Sequence, residues 1–118
     1  MDRIFLTALS AETIIGIYDW EREVRQRVEV DLEMWVDLNA AVASDSIDDT
    51  LNYKLVAKRV LGFVQESRYR LVEALAGAIA RILLAEFPIA RVRVTLHKPG
   101  AVRDSRDVGV IIERSRDA

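Results

Sequence analysis

Cysteine is absent from the 118 residues, and histidine occurs once, at position 97. Without thiols the chain has no disulfide, no thiolate nucleophile and no cysteine-based zinc or iron–sulfur centre, and one histidine cannot build a histidine cluster. A long apolar run is missing too. The opening MDRIFLTALSAE places Asp2 and Arg3 early and is too short in hydrophobic residues for a secretory segment, and no later stretch approaches the roughly 20 residues of a membrane span. A cytoplasmic protein with no membrane partner is expected. Nor does charge of one sign dominate: seventeen basic and nineteen acidic residues leave a formal charge of -2, so nothing sequence-wide attracts nucleic acid. Arg91, Arg93, Arg103, Arg106, Arg114 and Arg116 gather late in the chain, but acids are interleaved, and these arginines read as solvated faces.

What is present is periodicity. From Arg27 to Leu38 apolar Val28, Val30, Leu32, Met34, Val36 and Leu38 alternate with Arg27, Glu29, Asp31, Glu33 and Asp37, a long strand with one wet face. Ile4 to Leu9 and Thr13 to Ile17 are also strand-like, so residues 2–38 are expected to form a hairpin with an irregular middle around Gly16 to Glu23. From Tyr53 the period becomes helical through Leu55, Val56, Val60, Phe63 and Val64, with Asn52 as N-cap. A second helix carries Leu71, Val72, Leu75, Ile79, Ile82 and Leu83 and stops near Phe87-Pro88. Alternation returns at Val92, Val94 and Leu96, a type II turn is expected at Pro99-Gly100, and Val108, Val110 and Ile112 make a last strand.

The order ββααββ specifies an α+β fold, a four-stranded antiparallel sheet with two helices on one face, in a single domain over 1–118. A strand as long as 27–38 at or near a sheet edge invites pairing with another chain, and Trp35 stands on its polar face; both hint at an oligomer built through the sheet.

Several residues carry candidate chemistry, each with a plainer reading beside it. Lys98 follows a strand and precedes a rigid turn, so it is either a solvated strand end or a fixed proton carrier. Glu73, in the first turn of the second helix, either stabilises its own helix or accepts two parallel N–H bonds from an amidine-like ligand edge. Glu21 is a loop carboxylate beside Tyr18, Asp19 and Trp20, and Tyr53 opens the first helix. His97 is a candidate for titration near neutrality, yet a lone strand histidine is commonly just packed. Asp45, Asp48 and Asp49 lack the glycine and terminal glutamate of an EF-hand loop and are explained by turns and caps. No glycine-rich phosphate loop or Ser/His/Asp triad can be assembled.

Taken together, Gly16-Ile17-Tyr18-Asp19-Trp20-Glu21-Arg22, Leu51-Asn52-Tyr53-Lys54-Leu55-Val56, Leu71-Val72-Glu73-Ala74-Leu75-Ala76 and Lys98-Pro99-Gly100-Ala101 followed by Val108-Gly109-Val110 resemble the bacterial dihydroneopterin aldolase family over essentially the whole chain. The resemblance implies a tunnelling fold, in which four subunits join their sheets into a closed barrel and two rings stack as an octamer. It implies retro-aldol cleavage of 7,8-dihydroneopterin in folate biosynthesis, with neither a Schiff base nor a metal. The missing cysteines and single histidine argue against the zinc-dependent pterin enzymes of that fold. By motif, Lys98 is the expected proton donor and acceptor, and Glu73 with the Val72 backbone holds the pterin. Glu21 contacts substrate, and Tyr53 reaches in from the adjacent subunit toward the proton path. Activity at C2′ would also give the epimer, 7,8-dihydromonapterin. Rival readings are a dihydroneopterin triphosphate 2′-epimerase, a non-catalytic pterin-binding ring and an RNA-binding module.

Overall fold

Alternation in the sequence becomes a sheet in the computed structural model, which describes residues 1–116; positions 117 and 118 of the expected domain lie outside the described residues. Strands β1 (Asp2–Thr13), β2 (Gln26–Val36), β3 (Arg91–His97) and β4 (Gly109–Ser115) lie side by side in chain order, each antiparallel to the next. Val28, Val30, Leu32, Met34 and Val36 are buried and their neighbours in β2 are not, the period-two signature of a strand with one wet face. The register Met34↔Val92, Leu32↔Val94 and Val30↔Leu96 carries the apolar face onto β3.

Between β2 and β3 come a short helix α1 (Asn39–Ser44) and the two long helices α2 (Tyr53–Glu66) and α3 (Val72–Glu86). The long pair covers the sheet with Val56, Val60 and Val64 from α2 and Leu75, Ile79 and Leu83 from α3. Asn52 caps α2 as expected, its side chain accepting from the N–H groups of Lys54 and Leu55 at 3.1 and 3.4 Å. Helix α3 ends at Glu86, with Phe87 extended ahead of Pro88. No helix among the described residues is long and apolar enough to cross a membrane.

Four expectations need correction or narrowing. β1 is one 12-residue strand rather than two pieces: a bulge between Leu6 and Leu9, with Ala8 at φ 57, absorbs the break in alternation, and Ile14 to Ile17 are no longer strand. β2 lies near an edge but not at one: it is the second strand, and the edges are β1 and β4. Leu55 faces outward, 56% exposed, instead of joining Val56 in the core. Trp35 does not by itself require a second copy, because the guanidinium groups of Arg3, Arg91 and Arg93 lie 5.5, 5.0 and 6.0 Å from its ring centroid. Those arginines pair in turn with Glu33 and Glu113 on the open face of the sheet. The chain is also extended, its 15.4 Å radius of gyration exceeding the roughly 13.5 Å of a compact domain this long.

Candidate active site

A cavity of about 350 Å3 opens where the loop after β1 meets the start of α3 and the adjoining ends of β3 and β4. Glu21, Val72, Glu73 and Lys98 all line it, so side chains up to 77 positions apart converge. Tyr53 does not line it and stands 52% exposed at the start of α2. A larger open hollow, about 740 Å3, lies between β1 and the segment after α2, but it holds none of the candidate residues.

Lys98 is fixed by backbone on both sides. Its N–H donates to the Val108 carbonyl at 2.8 Å, and its carbonyl accepts from Ala101 N–H at 3.2 Å across Pro99-Gly100. Gly100, at φ 82, supplies the positive φ that the third residue of a type II turn needs. The side chain is 12% exposed, and Nζ donates to Glu21 Oε2 at 2.6 Å.

Glu21 sits in a single 3-10 turn (Trp20–Arg22) and is 5% exposed. Burial alone would raise its pKa. Hydrogen bonds from Lys98 Nζ, Gln26 Nε2 (3.1 Å) and Tyr18 N–H (3.3 Å) outweigh that and hold the carboxyl below its usual range. Desolvating such a pair consumes much of its attraction, so it is poor evidence for stability and better evidence for a working site.

Glu73 occupies the first turn of α3, where the helix N-terminus favours an anion, and it is exposed. The N–H of Val72, first residue of the same helix, has no carbonyl four residues back inside α3 to satisfy it. A carboxylate and a backbone donor therefore sit together at one wall of the cavity. The arrangement offers a planar heterocycle a docking edge, and the Lys98–Glu21 pair offers its substituent a proton carrier.

Two supporting residues escaped sequence reasoning. Arg22 donates to the carbonyls of Gly16 and Tyr69, both at 3.0 Å, and of Arg68 at 2.6 Å, strapping the loop after β1 to the segment entering α3. Gln26 bridges the Ile15 carbonyl, at 2.8 Å, and Glu21. Neither lies at a spacing that would signal such a role. Gly16 stood, like Arg22, in the first motif, and its need is physical: φ is 135, and a Cβ there would collide with the Glu21 carboxylate. Gly16→Ala is expected to displace Glu21 and cost about 1–3 kcal/mol, measured by chemical denaturation; an unchanged midpoint would contradict this packing.

The rim of the cavity is apolar and open. Ile17, Tyr18, Leu71 and Val102 line it and are 55, 62, 50 and 49% exposed. Four large apolar side chains exposed around one opening mark a surface for interaction or ligand binding.

The family model described as "FolB: Dihydroneopterin aldolase" matches residues 4–113. Over 117 residues the chain is 44% identical to the dihydroneopterin aldolase of Escherichia coli (strain K12), covering 99% of this chain and 96% of that protein. The dihydroneopterin aldolase of Haemophilus influenzae is 35% identical over 114 residues, 97% of each chain. Among solved structures, E. coli dihydroneopterin aldolase in complex with neopterin superposes with a TM-score of 0.95 at 44% identity, over 98% of this chain and all of that one. The Burkholderia thailendensis enzyme, bound to guanine, superposes with a TM-score of 0.82 at 30% identity, over 97% and 90% of the two chains.

Proposed function

The chain belongs to the dihydroneopterin aldolase family, and we propose that its cavity binds 7,8-dihydroneopterin and cleaves it to 6-hydroxymethyl-7,8-dihydropterin and glycolaldehyde, as a cytoplasmic single-domain enzyme of folate biosynthesis. The observation that carries the proposal is the buried Lys98–Glu21 pair sharing one cavity with Glu73 at a helix N-terminus. The relatives crystallised with neopterin and with guanine support it, since both ligands present adjacent ring N–H and amino donors. In this reading Glu73 accepts the pterin N3–H and 2-amino group as two parallel bonds, and Val72 N–H contributes beside it. About 350 Å3 suits a bicyclic ring with a three-carbon side chain.

The reaction is a retro-aldol whose electron sink is the substrate's own C6=N5 imine. Loss of the proton from the 2′-hydroxyl breaks C1′–C2′; the electron pair becomes C1′=C6 while N5 takes a proton, and glycolaldehyde leaves. Protonation at C1′ with loss of the N5 proton then restores C6=N5. What the protein supplies is orientation and a group that both takes and gives protons. Hydrogen bonds from Lys98, Gln26 and Tyr18 hold the Glu21 carboxyl below its usual range, and Lys98 is the residue assigned the proton transfer. Re-addition of glycolaldehyde to the opposite face gives the 2′-epimer from the same site.

The site is completed by a second subunit in a homo-oligomeric ring, which two stacked rings extend to an octamer. The exposed apolar rim, the unpaired edges of β1 and β4, and the outward Tyr53 and Leu55 support this. Tyr53 of a neighbour then brings its hydroxyl to the proton path. Mixing Tyr53→Ala with Lys98→Ala subunits is expected to restore activity to about a quarter of sites, since a random mixture makes that share wholly intact; no recovery after verified exchange contradicts a shared site.

Chromatographic identification of the products of 7,8-dihydroneopterin tests the proposal. Equimolar glycolaldehyde and 6-hydroxymethyl-7,8-dihydropterin are expected. Epimer without glycolaldehyde, or turnover of the triphosphate alone, would replace it with the epimerase reading.

A further inference from the structure

Lys98 turns toward the cavity, whereas the residue before it turns toward the open face of the sheet and is held there by a separate set of groups. His97 closes β3, paired with Glu29 on β2 and Gly109 on β4. Its Nε2 lies 2.7 Å from Asp31 Oδ2 and its Nδ1 2.5 Å from Asp107 Oδ2. Both carboxylates are themselves anchored. Asp31 Oδ1 accepts from Ala8 N–H at 2.7 Å, at the β1 bulge. Asp107 Oδ1 accepts from Val108 N–H at 2.9 Å, and the Asp107 carbonyl accepts from Ser105 Oγ at 2.6 Å.

A neutral imidazole has one N–H and one lone pair, so it satisfies one carboxylate and opposes the other; only the imidazolium donates to both. One protonated ring therefore ties β1, β2, β3 and the returning end of the 98–108 loop into a single unit. That return is the one whose Val108 carbonyl takes the Lys98 N–H.

We propose that His97, as the imidazolium bridging Asp31 and Asp107, is a positioning residue for Lys98: it pins the 98–108 loop from the open face of the sheet so that Nζ stays seated against Glu21 on the other. The inference rests on the reading of Lys98 as the proton carrier. It also assigns a purpose to the Ala8 bulge, whose positive φ turns an amide onto Asp31.

The carboxylates facing His97 agree on the sign. β2 presents Asp31 and the partly buried Glu29, itself paired with Arg27 at 3.4 Å; the loop presents Asp107; Lys98 is the adjacent cation. The Asp31 hydrogen bond, opposed by burial and reinforced by Asp107 and the two negative charges, raises the His97 pKa above its ordinary value. The bridge is therefore complete below the ordinary histidine value, near pH 6.5, and is lost as pH rises through the raised folded value.

As the only histidine, His97 gives one imidazole signal to follow by NMR. Asp107→Ala lies on the exposed loop and leaves the core untouched, and His97→Gln serves as the second variant. In Asp107→Ala the imidazole midpoint is expected to move down. Amide hydrogen exchange at Lys98 should rise about tenfold or more, and kcat should fall about tenfold with KM within about twofold, because a small misplacement near the chemistry acts on kcat. Unchanged Lys98 exchange, or an unchanged kcat in both variants of an enzyme whose wild type releases glycolaldehyde, overturns the inference. A wild type that releases none overturns the functional reading instead, and the exchange measurement still decides the loop-pinning role.

Discussion

Lys98→Ala is expected to lower kcat by about 10²–10⁴-fold, the range for loss of a general acid–base group, while pterin affinity changes by less than about threefold. At 1.36 kcal/mol per factor of ten, this asks about 3–5 kcal/mol of transition-state stabilisation from one side chain. The prediction separates two roles because Lys98 and Glu73 stand on different elements: Lys98 leaves the end of β3, and Glu73 begins α3. Removing the ammonium also leaves the Glu21 carboxylate, 5% exposed, with Gln26 and the Tyr18 amide as its remaining donors. A buried charge stripped of its partner costs about 3–5 kcal/mol of folding stability. Glu21→Gln combined with Lys98→Ala removes that orphan charge, so the double variant should regain stability without regaining turnover. A double variant that recovers both would mean that Lys98 serves packing alone.

Glu73→Ala should show the opposite pattern, with Kd and KM rising about 10²-fold or more and kcat at saturation held within about tenfold. Two charge-assisted bonds at about 1.5–3 kcal/mol each set that scale. The fold should hardly register the change: Glu73 is exposed, and a first-turn carboxylate contributes about 0.3–1 kcal/mol to its helix. Titration with neopterin followed by fluorescence, alongside steady-state kinetics, reads both quantities. If Glu73→Ala lost kcat and Lys98→Ala lost binding, the two roles would have to be exchanged.

Periodicity made the layers of the fold legible. β2 alternates without interruption, Asn52 marks the start of α2, and Phe87-Pro88 marks the end of α3. What stayed hidden depended on partners distant in sequence. The Ala8 bulge breaks alternation with an alanine at positive φ, a conformation that no local signal announces, and its compensating bond goes to Asp31, 23 residues away. The interior place of β2 could not be read either, because strand order is decided by how the helices return the chain, and periodicity is silent on that. Leu55 matched the helical spacing of Val56 but points away from the sheet, beside the equally exposed Tyr53.

The candidate site divides in the same way. Pro99-Gly100 predicted a rigid turn, and the turn formed; Glu73 fell in a first helical turn, and α3 begins at Val72. That Lys98 and Glu21 should serve one site was carried by motif resemblance alone, and their direct pairing across 77 positions was not foreseen, since no spacing encodes it. Gln26 and Arg22 are polar residues of ordinary appearance whose work emerges only from their carbonyl partners. His97 is the sharpest case: one histidine in an alternating strand suggested plain packing, and only the sheet brings it between Asp31 and Asp107.

Glycolaldehyde release from 7,8-dihydroneopterin in the presence of EDTA, compared between the intact protein and Lys98→Ala with pterin binding followed in the same samples, tests the central claim most directly. The account predicts release by the intact protein, unaffected by chelation, that collapses in the variant while pterin remains bound. Folded, assembled intact protein that releases nothing, or a variant that releases as fast as the parent, would contradict it.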